Sequence, residues 1–340
     1  MEHSTLVLLA ATVTVFSLAM YVLLDGFDLG VGVWLGLQPS QTMRNEMIEA
    51  IEPVWDGNET WLIMAGVALW AAFPVAYGTL LPAFYLPLIG MLLCLGLRGV
   101  SFEFREEASP QGRQRWDRVF CLGSLGAAFL QGMVLGGLLT GVAVQKGADA
   151  NGPAWTYAGG PWDFVSSTSL LCGVLVVAAY MALGSAWLQL KTSGLLHQLS
   201  QQQHRWSMYG FAALVFIVLA KVLAGQPLLS ETLALRWPLV VLALGLALIA
   251  GGVSMSKATA GRHGLLHYGW SAAAIGSVLG ALIVLLWPHI VPFGITVDAA
   301  SAPAGSLVFM LVGVVFVMPV VLSYTALSYW VFRTPVGERT

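Results

Sequence analysis

Apolar runs of about 20 residues recur along the whole chain, and they decide what it can fold into. A helical run of that length matches the ~30 Å hydrocarbon core of a bilayer. Nine such runs lie at roughly 6–36, 54–73, 80–100, 118–144, 163–190, 206–224, 237–255, 265–287 and 305–332. The short alternating segments of an outer-membrane barrel are absent from the sequence. The chain therefore reads as an all-α, polytopic membrane protein with nine transmembrane helices. Its composition agrees: 58% of residues are hydrophobic and 9% charged, against about 25% charged in a soluble domain. The first run lacks a basic leader and a small-residue cleavage site, so it reads as a span and not as a cleaved signal peptide. It is too long for the hydrocarbon core if straight, which predicts tilt or emergence at its C-terminal end.

Basic residues orient the spans. With the N-terminus outside, Arg44, Arg98, Arg105, Arg113, Arg115, Arg118, Lys191, Arg205, Lys257, Arg262, Arg333 and Arg339 fall on the cytoplasmic side. Lys146, Lys221 and Arg236 fall on the outer side. This bias predicts an outer N-terminus, a cytoplasmic C-terminus and an odd number of spans. The second and third spans read as a tight hairpin through Pro74 to Pro82, and 99–117 reads as a charged inner loop. The outer loops 145–162 and 288–304 are rich in Gly, Pro and Ala. Trp155 and Trp162 fit an outer interfacial belt, and Trp116 and Trp206 an inner one.

Tyr21, Gly26, Trp34 and Leu35 of the first span are faintly echoed by Tyr180, Gly184, Trp187 and Leu188 of the fifth. Duplication would divide one integral membrane domain, 1–340, into a four-helix bundle over 1–144, a second over 163–287 and a peripheral helix over 305–332. The pairs Gly26 with Gly30 and Gly132 with Gly136 have the small-xxx-small spacing that lets helices pack closely.

The stretch Tyr21 to Arg105 departs from this apolar background. Asp25 and Asp28 lie three apart, on one helix face. Asp56 and Glu59 repeat the spacing at the start of the second span, beside Trp55 and Asn58, and Arg98 ends the third. In the predicted orientation all reach the cytoplasmic half. Acids inside a membrane are costly and point to function, and a row of them suits proton uptake. Two plainer readings compete: Asp25 or Asp28 pairs with Arg98 or a helix end, and Asp56 simply favours a helix N-terminus. Glu46, Glu49 and Glu52 form an acidic face before the second span, read as solvated or as a proton antenna.

His3, His197, His204, His263, His267 and His289 all fall near predicted ends or loops. A haem held within a bundle needs axial ligands such as His or Met from its core. Met64, Met91, Met133, Met181, Met310 and Met318 lie in spans, but a lone Met reads as packing. The chain is therefore expected to bind no haem. Cys94, Cys121 and Cys172 are widely spaced and read as packing residues, with no metal-ligand pattern. No phosphate loop, nucleotide fingerprint or nucleophilic triad is visible, and the net charge of −2 does not point to nucleic acid. Asp163 is expected to cap the fifth span and Pro319 to bend the last. Lys221, Glu231 and Arg236 are expected to form ion pairs or meet lipid headgroups.

These blocks carry a resemblance. Asp25 to Gly32, Trp55 to Leu62 and Leu97 to Arg105 are similar to signature blocks of subunit II of bacterial cytochrome bd-type quinol oxidases. Gly159 to Phe164, Ser169 to Gly173, Trp187 to Gly194, Trp287 to Pro292 and Pro319 to Thr325 agree, so the likeness covers nearly the whole chain in order. The short loops resemble the cyanide-insensitive branch. The resemblance implies a complex in the bacterial inner (cytoplasmic) membrane that oxidises ubiquinol or menaquinol and reduces O2 to water. It implies a partner, subunit I, carrying two b haems and haem d. It implies a similar fold in this haem-free subunit, and a proton channel associated with Asp25 and Asp56. Some members hold a quinone in this subunit as a structural element, and a very small accessory subunit often joins the pair; no motif here decides either. Two other readings are a proton-coupled secondary transporter, which would more often show broken spans around a polar midplane site, and a purely structural membrane scaffold.

Overall fold

The computed structural model describes residues 2–149, 152–256 and 264–336. Lys257, Arg262, His263 and Arg339, assigned to sides or loops above, lie outside the described residues. Helices α1 (His3–Leu37), α2 (Gln41–Ile51), α3 (Trp55–Ala72), α4 (Pro74–Glu106) and α5 (Pro110–Thr140) come first. A hairpin of β1 (Val144–Asp149) and β2 (Gly152–Tyr157) follows, then α6 (Ser167–Lys191), α7 (Gly194–Gly225), α8 (Pro227–Ser254) and α9 (Gly264–Leu286). The short pair β3 (His289–Val291) and β4 (Ile295–Thr296), the single turn α10 (Val297–Ala300) and α11 (Ala304–Val331) complete the chain.

Eight helices among the described residues are long and apolar enough to cross a membrane. The other expected span is α3. Its first two turns carry Asp56, Asn58 and Glu59, leaving an apolar stretch from Trp61 to Ala72. At 1.5 Å per residue those twelve residues cover about 18 Å, short of a ~30 Å core.

Several expected loops are helical. The 99–117 loop shrinks to 107–109, because α4 runs on to Glu106 and α5 starts at once. Ser109 accepts the Gly112 N–H at 3.3 Å and Pro110 opens α5, a strong local start signal. The Pro74-to-Pro82 hairpin is likewise replaced by a single break at Phe73. Pro74 occupies the first turn of α4, while Pro82 and Pro87 sit inside it, where Phe84 departs from helical geometry. The sixth predicted span starts early, so α7 takes in His197 and His204. The expected cap at Asp163 is not formed. Ser166 caps α6 by accepting from Ser169 N, and the Asp163 carboxylate closes a local turn on Gly160 N at 2.8 Å. Among the described residues Arg236 makes no ion pair; it donates to the carbonyls of Val284 and Trp287 and fastens α8 to the end of α9. Pro319 lies within α11.

The long helices run up and down. At one end Leu6 and Val7 pack with Ala72, Phe73, Val291 and Ile295, and Ala302 N donates to Ala72 O at 2.8 Å. At the other, Lys191 donates to Phe332 O and accepts from Val336 N at 2.8 Å. The two termini of the described chain therefore lie at opposite ends of the bundle.

The core is built on α1 and α6. α1 packs on α3, α5 and α6, while α6 also meets α7 and α9; α11 touches α1 and α3 and is otherwise exposed. A Cβ at Gly30 would land on the carbonyl of Tyr180, and one at Gly184 on the backbone of Gly30. Backbones approach this closely only where both side chains are absent. Trp34 locks the crossing by donating to Met181 O at 2.9 Å. Tyr180 donates to Gln131, which donates to Tyr21, both at 2.7 Å. The echoed residues of the first and fifth predicted spans thus meet across one contact. Gly132 and Gly136 pack equally tightly on the backbone of α6 near Cys172 and Ser169.

A Gly30→Val substitution is expected to force α1 and α6 apart and to abolish recovery of folded chain from membranes. Gly78→Ala, where a Cβ meets nothing, should leave the yield unchanged. Detergent-extracted yield by size-exclusion chromatography distinguishes the two.

Candidate functional site

Arg98 is fully buried, and it organises the acids around it. Its Nη2 donates to Asp25 Oδ1 at 2.7 Å and to Glu59 Oε1 at 2.5 Å. The guanidinium thus joins α4 to α1 and α3. It also lies 5.8 Å from the centre of the Trp55 ring, which stacks on Phe102 at 4.7 Å. The Asp25 side chain is wholly buried, whereas that of Glu59 is 27% exposed. Glu59 is therefore the edge through which this ion cluster meets its surroundings. Arginine suits the position because its charge is permanent and its planar fork can serve more than one carboxylate.

Asp28 is the second wholly buried acid of the cluster. Its Oδ2 accepts from Asn58 Nδ2 at 2.7 Å, and Asn58 Oδ1 accepts from Tyr329 of α11 at 3.0 Å. Below it Phe27 stacks on Trp187 at 4.2 Å, with Tyr268 and Tyr329 set edge-on to both rings. The Tyr268 hydroxyl donates to Leu23 O at 2.7 Å. Among the described residues, Asp28 Oδ1 and Arg98 Nε and Nη1 are buried without a hydrogen-bond partner. Two wholly buried carboxyls and the partly exposed Glu59 thus lie around one guanidinium, in a place where unpaired charge is costly.

Asp25, Asp28, Glu59, Asn58, Trp55 and Arg98 are brought together as their spacing suggested. Asp56 is not. It lies exposed in the first turn of α3, on the same face as Glu59 but nearer the helix start, and does not reach Arg98. Glu49 and Glu52 of α2 are also exposed, while Met47, Ile48, Ala50 and Ile51 of the same helix are buried.

Sequence reasoning missed a second ion cluster. Asp117 of α5, 1% exposed, accepts from Arg105 Nε at 2.6 Å and lies 3.4 Å from Arg44 Nη1. Arg105 also donates to Asn45 at 2.6 Å, and Gln41 to Asp117 at 3.3 Å. This clamp pins α2 to the ends of α4 and α5, and Trp187 pins it to α6 through Ala50 O at 2.9 Å. The signal was present in the Ser109-Pro110 helix start, which places Asp117 on a helix and not in a solvated loop. Tyr329 had no local signal, because its partner Asn58 is 271 positions away.

His204 is buried, with Nδ1 3.1 Å from Ala182 O and Nε2 3.2 Å from Ser254 Oγ, and its ring packs edge-on against His267. Both of its nitrogens are engaged, which leaves it unsuited to axial haem ligation. Among the described residues no group of three or more His, Cys, Asp or Glu could hold a metal ion.

A bundle of long apolar helices with a buried Arg–carboxylate cluster defines a polytopic membrane protein. The model of the family "Cytochrome bd terminal oxidase subunit II" matches residues 6–332, and the chain belongs to that family. It is similar to cytochrome bd ubiquinol oxidase subunit 2 of Bacillus subtilis (strain 168), at 29% identity covering 94% of this chain and 93% of that protein. It is also similar to cytochrome bd-I ubiquinol oxidase subunit 2 of Escherichia coli (strain K12), at 28% identity covering 91% and 89%. Its fold matches a chain of the bd oxidase from Geobacillus thermodenitrificans with a TM-score of 0.75 over 96% of this chain and 98% of that one, at 15% identity. Membership implies a partner subunit and haems within the same oxidase complex.

Removing Arg98 leaves Asp25 buried beside no counter-charge. Arg98→Gln is expected to destabilise the chain by about 3–5 kcal/mol, and adding Asp25→Asn should restore part of that loss. Thermal unfolding of the wild type, both single variants and the double variant measures the coupling.

Proposed function

We propose that this chain is the haem-free subunit of a quinol-oxidising, O2-reducing complex, and that it supplies part of the path by which protons reach the haems from the cytoplasm. One observation carries the reading. Arg98 holds Asp25 and Glu59 in a buried cluster, with Asp28 tied in alongside through Asn58, and only Glu59 is partly open to the outside. Protons would arrive at Asp56 and the acidic face of α2, pass to Glu59, and move inward to Asp25 and Asp28. Arg98 would keep the inner acids from accumulating uncompensated negative charge, while Trp55 and Asn58 hold the flanking geometry. Quinol as electron donor is carried over from the printed names of the similar subunits in Bacillus subtilis and Escherichia coli.

The rest of the architecture follows the same reading. Nine helices cross the bacterial inner membrane if α3 is counted, its polar start screened by α2 and by the Arg98 cluster. The N-terminus is outside and the C-terminus cytoplasmic. Residues 1–144 and 163–287 form two four-helix units, with α11 peripheral. The two b haems, haem d and the quinol-oxidation site belong to subunit I, which this chain supports; a small accessory subunit and a structural quinone would complete the assembly. A transporter reading has no comparable support, because the buried acids are held in ion pairs with Arg98 and Arg105 and the described hollows are lined mainly by apolar side chains.

Asp25→Asn and Glu59→Gln are expected to slow quinol-driven O2 uptake at least tenfold while the visible spectrum of the assembled complex stays unchanged. Normal turnover with normal haem content would reduce these acids to structural ion pairs. Loss of haem in both variants would support the scaffold reading instead.

A further inference from the structure

We propose that the surface between α7 and α8 is a binding site for one anionic phospholipid, its phosphate on Arg205 and an acyl chain in the groove beyond. The groove has a cavity volume of about 180 Å3 and is lined by Met208, Phe211 and Val215 of α7, by Leu244 and Leu248 of α8 with Met255 just past its end, and by Val278 of α9. It exists because the chain leaves it unfilled. Ala212 and Ala247 face it with minimal side chains, and a Cβ at Gly252 would meet nothing within 4 Å.

The groove extends past Val215 and Leu219 toward Val222, where the same two helices and α9 line a second apolar hollow. From Met208 to Val222 the distance is about 21 Å at 1.5 Å per residue. That exceeds one leaflet of a ~30 Å core, so the two hollows together span the depth that an acyl chain occupies.

The polar end commits the site to an anionic headgroup. Arg205 is exposed at the mouth and forms no ion pair with a described acid. It borders a small polar recess with Gln201, Ser256 and the buried His204, and this recess shares Met255 with the groove. Exposed Trp206 and Tyr209 flank the arginine, as amphipathic rings do at headgroup level. A basic pocket between helices on the cytoplasmic side, opening onto an apolar groove, matches a phospholipid and not a neutral isoprenoid.

The test uses the intact complex in nanodiscs of equal phosphatidylglycerol and phosphatidylcholine, with retained lipid counted by native mass spectrometry. The wild type should retain one phosphatidylglycerol that Arg205→Gln loses or exchanges freely, with the preference falling about fivefold. Gly252→Leu, which fills the groove and leaves the charge in place, should displace the same lipid. If Arg205→Gln does not assemble, the Gly252→Leu comparison decides. Equal lipid retention in wild type and variants, or a retained neutral quinone in place of phosphatidylglycerol, would overturn the proposal.

Discussion

A guanidinium with no exposed surface sits between helices that would otherwise be apolar, and much of the chain's first half is arranged to make that tolerable. Arg98 cannot shed its proton, so its charge has to be met by acids brought to it. Asp25 comes from the middle of α1 and Glu59 from the first turns of α3, so one side chain ties three helices at a single level. The arrangement also limits α3. A helix that must present Asp56, Asn58 and Glu59 in its first two turns cannot be apolar along its full length, which is why it falls short of the other spans.

A second constraint is the close crossing of α1 and α6. Gly30 and Gly184 let the backbones touch, and Trp34 and the Tyr180–Gln131–Tyr21 chain fix their relative height. That height places Phe27 on Trp187 and brings Asp28 above the aromatic cluster. Asp25 and Asp28 share a helix with Gly30, so the packing that sets the crossing also sets the depth of the acids. The Asp117 clamp likewise fixes α2 against the ends of α4 and α5.

Much of this was legible in the sequence. Hydrophobic runs gave the long helices, and the i, i+3 spacing of Asp25 with Asp28 put both on one face. The Arg98 partnership followed from charge economy in an apolar setting. What was not legible depended on long-range geometry or on weak local signals. Tyr329 and Gln131 have partners more than 100 positions away. Asp56 and Glu59 share a face by their spacing, yet only Glu59 is close enough to reach the Arg98 guanidinium, while Asp56 at the helix start stays exposed. Residues 99–117 and 74–82 read as loops by their charge and proline, whereas Ser109-Pro110 and Pro74 are helix starts. The echo of Tyr21 in Tyr180 was faint as a pattern, and it became a physical contact only once both helices met Gln131.

The central claim is that the buried acids of this chain exchange protons during oxygen reduction. Reaction-induced infrared difference spectroscopy on the intact complex reads protonated carboxyls directly. The account predicts a carboxylic C=O band that changes on reaction with O2, shifts in heavy water, and is missing from the spectrum of Asp28→Asn. A spectrum in which Asp28→Asn and Asp25→Asn both reproduce every carboxylic band of the wild type would contradict it.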